Sequence, residues 1–118
     1  MNTDQKDRRE QVFFRIVGLP SEKLDSMKQR LDGLPIQVRQ RRVHGDYVVS
    51  MELLSAESCE ALIQVLNASP VGVPFGLYVS LLTPNESDGV RLAPFIRDFW
   101  KSVGGDLDFS FTVISDDD

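Results

Sequence analysis

Along QVFFRIVGL, residues 11–19, side chains alternate: Val12, Phe14 and Ile16 share one face of an extended chain, and Phe13, Arg15 and Val17 the other. The period then changes. In LPSEKLDSMKQRLDGLP, Leu24, Met27 and Leu31 recur at i, i+3 and i+7, which predicts an amphipathic helix. Ser21 is placed to cap it, Glu22 and Asp25 suit the positive end of its dipole, and Gly33 and Pro35 stop it.

IQVRQRRV and YVVSMELL flank the tripeptide HGD and predict a hairpin turning at Gly45. On its second strand Tyr47, Val49, Met51 and Leu53 face one way, and Val48, Ser50 and Glu52 the other. Ser55 precedes AESCEALIQVLN, where Cys59, Leu62, Ile63 and Leu66 form the strongest helical stripe in the chain. FGLYVSLLT returns to period two with Phe75, Leu77, Val79 and Leu81 aligned. A third helix follows, with Pro94 in its first turn, Ile96, Phe99, Trp100 and Val103 as its stripe, and Gly104-Gly105 releasing the chain. DLDFSFTV closes the pattern as a half-buried strand, with Leu107, Phe109, Phe111 and Val113 facing the core and Asp108, Ser110 and Thr112 facing out.

The resulting order, β-α-β-β-α-β-α-β, predicts an α+β two-layer sandwich: a five-stranded mixed sheet with three helices on one face. Its first six elements follow the ferredoxin-like order, with one more helix and strand appended. The crossovers around the first and third helices are expected to be right-handed where their strands run parallel. Residues 1–10 read as a flexible N-terminal tail, 11–115 as one domain and 116–118 as an acidic C-terminal end.

Composition narrows the class. At 118 residues, 42% hydrophobic and 26% charged, the chain suits a single globular core. It has no run of 18 apolar residues and no signal-peptide pattern, which points to a cytoplasmic protein without a membrane partner. The lone Cys59 excludes an internal disulfide, and its helical neighbours predict a buried thiol. Residues 1–83 carry ten acidic and ten basic side chains, whereas residues 84–118 carry eight acidic and three basic. The net charge of -5 therefore sits in the last third, disfavours nucleic acid and favours cationic partners.

Catalytic chemistry finds little support. The single histidine, His44, falls in the predicted hairpin turn and away from any nucleophile in the sequence. TPNESDG, residues 83–89, gathers Asn85, Glu86 and Asp88 but is too short for a calcium loop and lacks its distal glutamate. Neither glycine fingerprint for phosphate is present. The expectation is a protein without enzymatic activity or cofactor.

Two groups of residues point to binding. Arg15, Arg39, Arg41 and Arg42, with Phe13 and Tyr78, could give an open sheet face the cations and aromatics of an RNA-recognition sheet, but the basic-Gly-aromatic run of that family is missing. Cross-strand pairing of Arg39 or Arg41 with Glu52 or Asp108 accounts for them more simply. The second group is acidic: Glu86, Asp88, Asp98, Asp106, Asp108 and Asp116, with Asp117 and Asp118, offer a negative surface for docking a basic partner. Phe13, Tyr78 or Trp100 could add an aromatic anchor.

From residue 78, YVSLLTPNESDGVRLAPFIRDFWKSVGGDLDFSFTV resembles the C-terminal half of a bacterial family of small α+β domains. Some of its members lie beside polymorphic-toxin genes and are inferred to be immunity proteins. The resemblance covers about a third of the chain and implies a role without a site. With the acidic residues it makes the first expectation an immunity protein that binds and inhibits a basic toxin domain. The alternative is a ferredoxin-like regulatory domain that binds a small ligand or homodimerises through its open sheet face, and an RNA-binding sheet comes third.

Overall fold

A computed structural model describes residues 8–68, 71–84 and 89–113. The elements are β1 (Arg9–Leu19), α1 (Ser21–Leu31), β2 (Val38–Val43), β3 (Asp46–Glu52), α2 (Ala56–Ala68), β4 (Phe75–Thr83), α3 (Pro94–Val103) and β5 (Asp106–Val113). The strands form one mixed sheet in the order β2-β3-β1-β4-β5. β1 lies antiparallel to both β3 and β4, β2 lies antiparallel to β3, and β4 lies parallel to β5. This is the α+β order read from the sequence, with the added strand on the outer flank of β4. The pairings also make β3 and β4 parallel across β1, so α2 bridges parallel strands as α1 and α3 do.

Burial follows the alternation. Val12, Phe14 and Ile16 of β1, Val49 and Met51 of β3 and Leu77, Val79 and Leu81 of β4 are buried beneath the helices. The helices answer with Leu24, Met27 and Leu31 from α1, Cys59, Leu62 and Leu66 from α2, and Ile96 and Phe99 from α3. At the centre, Phe14 is fully enclosed; its ring meets Phe99 edge to face at 5.5 Å and Phe75 at 5.7 Å. That contact anchors α3 over the inner strands.

The local signals resolve in part as expected. The Ser58 amide donates to Ser55 Oγ at 3.1 Å, which makes Ser55 the cap of α2. Pro94 opens α3, and the Gly104 amide closes it on the Trp100 carbonyl at 2.7 Å. His44 and Gly45 both have positive φ (51° and 88°) and form the two-residue turn that matches the twist of β2 and β3.

Four expectations are corrected. Ser21 does not cap α1: it is the first helical residue, Pro20 takes the N-cap position, and no side chain bonds there. Order begins before residue 11, because Arg9 and Glu10 extend β1 by pairing with Leu82 and Leu81 of β4, and backbone pairing is open to polar residues at a strand end. Strict alternation places Leu19 opposite the core, yet it is buried. Gly18, at φ 78°, interrupts the register between Val17 and Leu19 and turns Leu19 inward, a bulge that favours glycine.

The largest correction concerns β5. Its apolar row is not packed into the core: Leu107, Phe109, Phe111 and Val113 are 44%, 54%, 38% and 40% exposed. Register puts them on the helix side, level with Leu77, Val79, Leu81 and Thr83. However, α3 is drawn inward by the contact of Phe99 with Phe14, and β5 lies beyond the cover it provides.

Phe14→Ala removes the ring shared by β1, β4 and α3 and is expected to destabilise the fold by about 3–5 kcal/mol. Urea unfolding followed by far-UV circular dichroism measures this, and a loss below about 1 kcal/mol would show that Phe14 does not hold the layers together.

Candidate functional site

The sheet face opposite the helices is open, and strand register determines which side chains line it. One row across the sheet runs Arg39, Ser50, Arg15, Gly76 and Asp106; the next runs Glu52, Phe13, Tyr78 and Asp108. Arg41, opposite Val48, lies two residues along β2 from Arg39 on the same face. Together Phe13, Arg15, Arg39, Arg41, Ser50 and Tyr78 line a depression of about 530 Å³. This lies within the range of small-molecule sites, roughly 300–1,000 Å³.

The aromatic pair forms one wall. Phe13 and Tyr78 are cross-strand neighbours with ring centroids 6.4 Å apart. Arg15 stands opposite Gly76, where a side chain would collide with the Asp106 backbone of β5. Its Cζ lies 4.3 Å from the centre of the Tyr78 ring, and one of its nitrogens is 3.8 Å from an Asp108 carboxylate oxygen. Arg15 is thus held from two sides and lies flat across the site.

Arg39 and Arg41 are arranged differently. The expected pairing with Glu52 or Asp108 does not occur: Arg39 faces Ser50, Arg41 faces Val48, Glu52 lies opposite Phe13, and Asp108 meets Arg15. Glu52 instead accepts from the Gln11 side-chain amide at 3.4 Å. Among the described residues, neither the Arg39 nor the Arg41 side chain has an ion-pair or hydrogen-bond partner, and both are exposed. The depression is lined by three guanidinium groups and no carboxylate. Such a lining favours an anion, and the aromatic wall favours a planar group stacked beside it.

The three acidic candidates among the described residues are divided between two layers. Asp98 is exposed on α3, in the helical layer, whereas Asp106 and Asp108 stand on β5 with their side chains toward the opposite, open face. Glu86, Asp88 and Asp116 lie outside the described residues. Trp100 is partly buried against the core, and its indole N–H donates to the Gly105 carbonyl at 3.2 Å, which leaves the anchor role to Phe13 and Tyr78. Sequence reasoning grouped Arg15, Arg39, Arg41, Arg42, Phe13 and Tyr78 on one face; register keeps five of them together but places Arg42, opposite Tyr47, on the helix side. What it missed was the absence of partners for two of the arginines: the hairpin register sets Arg39 and Arg41 opposite Ser50 and Val48 rather than Glu52, and Asp108 lies on the far edge strand.

Elsewhere, chemistry is sparse. Among the described residues no three His, Cys, Asp or Glu side chains lie close enough to hold a metal, and no helix is long and apolar enough to cross a membrane. His44 sits exposed in the β2–β3 turn. Cys59 is buried in α2, and burial pushes its thiol from 9.0 up to about 11. No family model, no curated protein and no solved structure matches this chain.

The state of Cys59 gives a direct check. At pH 8 a thiol reagent is expected to label the folded protein many times more slowly than the urea-unfolded chain, because the thiolate is suppressed and enclosed. The same shift has a sign for stability. The unfolded thiol ionises near 9 and the folded one only near 11, so this group's contribution to stability falls as pH climbs through that window. Equal labelling rates in the two states would contradict the burial of α2 on the sheet.

Proposed function

We propose that the protein is a non-enzymatic regulatory binding module whose open sheet face holds a small anion bearing a planar ring, of the chemical class of a mononucleotide. The observation that carries this reading is the pair Arg39 and Arg41, exposed and without partners among the described residues, beside the Phe13–Tyr78 wall. Arg39 and Arg41 would bind the phosphate or carboxylate. Arg15, stacked on Tyr78, would order that edge of the site, and Phe13 with Tyr78 would stack on the ring.

Size and field favour a small ligand over an extended nucleic acid. The chain carries a net charge of -5, and Asp106 and Asp108 stand at the β5 side of the same face, where a longer polyanion would meet them. The division of the acidic residues between the helical layer and the open face gives less support to an acidic dock for a basic toxin. Immunity therefore ranks behind the ligand-binding reading.

Thermal unfolding with a panel of mononucleotides, inorganic phosphate and a short single-stranded RNA tests the assignment. A binding mononucleotide at about 100 times its Kd should add about 2.7 kcal/mol, a rise of roughly 10 °C for a domain of this size. The double variant Arg39→Ala/Arg41→Ala should lose that rise while melting as the wild type does without ligand. No rise with any mononucleotide, or one that survives in the double variant, would remove the reading. Stabilisation by RNA alone would assign the face to single-stranded nucleic acid.

A further inference from the structure

The sheet has two edges, and they are built differently. β2 presents Arg39, Gln40, Arg41 and Arg42 to solvent, and charge along an edge strand opposes pairing with another chain. β5 carries no lysine or arginine. On its helix side it exposes Leu107, Phe109, Phe111 and Val113, with the rings of Phe109 and Phe111 stacked at 6.4 Å. From those exposures the row leaves on the order of 300 Å² of apolar surface in water, a patch size that often marks an interaction site on a monomer.

The order of residues along β5 indicates what covers it. Outward from Ser110 the pattern is the same in both directions: Phe109 matches Phe111, Asp108 matches Thr112, and Leu107 matches Val113. A strand with this symmetry is complementary to itself when reversed. We propose that two copies of the chain pair edge to edge through β5, antiparallel and in a register centred on Ser110, joining two five-stranded sheets into one.

In that register Phe109 stands opposite Phe111 of the second copy, and Leu107 opposite Val113. All eight apolar side chains fall on one face, next to the helical layers, and bury against one another. On the other face Asp108 stands opposite Thr112, so no like charges meet. A shift by one residue would set the apolar row of one copy against the polar row of the other, and a shift by two would leave Leu107 or Val113 of each copy without an apolar partner, so the register centred on Ser110 pairs the most apolar side chains. Head-to-tail pairing of β5 with β2 of another copy is disfavoured. The helix side of β2 offers Gln40 and Arg42, which would lie against the phenylalanines, and such a contact repeats without closing. Pairing by this edge leaves the open face of each copy free, so it stands independently of the ligand reading.

Sedimentation velocity of the full chain over a wide concentration range, combined with cysteine cross-linking, tests the proposal. The wild type should pass from monomer to dimer as concentration rises. Ser110→Cys should cross-link to itself on oxidation or with a short dithiol-reactive linker, since the two-fold axis passes through that position. Thr112→Cys should not, because its two copies would lie roughly 14 Å apart, four residues out of step. Cys59 is buried and adds no background. Phe109→Glu/Phe111→Glu should be monomeric with unchanged circular dichroism, as both rings are already exposed. A wild type that stays monomeric throughout, a dimer undiminished in the double glutamate variant, equal cross-linking at 110 and 112, or oligomers that grow past two would each overturn it.

Discussion

The edge-to-face contact of Phe14 with Phe99 governs the arrangement of the whole molecule. Phe14 lies on the central strand, β1, and Phe99 on the last helix, α3. Their packing, with Phe75 on the other side, buries three rings in one place and draws α3 over the inner strands. Aromatic side chains supply large buried areas, so a helix follows its aromatic anchor. Two consequences follow: the core closes over β3, β1 and β4, and β5 lies past its cover.

The open face depends on the same strand. Side chains of β1 alternate, so seating Phe14 in the core places Phe13 and Arg15 on the far side. There β4 brings Tyr78 beside Phe13, and the Arg15 guanidinium lies against the tyrosine ring. Because β3 stands between β1 and β2, Arg39 and Arg41 reach the face opposite serine and valine rather than opposite carboxylates. Among the described residues these two guanidinium groups stand beside the aromatic wall without an ion-pair partner. Asp108, at the far edge of the sheet, is engaged with Arg15.

The two sheet edges show the opposite treatment of one physical problem. An unpaired strand offers a row of backbone donors and acceptors to any other chain. On β2 three arginines discourage this, while β5 offers an apolar row and carries no basic residue of its own. The contrast leaves one edge charged and the other apolar, with the open face between them unobstructed by either.

Period and punctuation in the sequence determined the eight elements, their order and which side of each faces inward, since side-chain alternation and helical stripes are local properties of the backbone. They also determined that Phe13, Arg15 and Tyr78 share a face, because parity alone places them. Capping at Ser55 and release at Gly104 were legible for the same reason, whereas the bulge at Gly18 was not: one added residue reverses parity without leaving a signal in hydrophobicity. Strand order was decided only in three dimensions. It put Arg39 and Arg41 at the opposite edge from Asp108, placed Asp98 in a different layer from Asp106 and Asp108, and put β5 at the rim. Alternation shows that a strand has an apolar face, but only the packing of every other element shows whether anything is left to cover it.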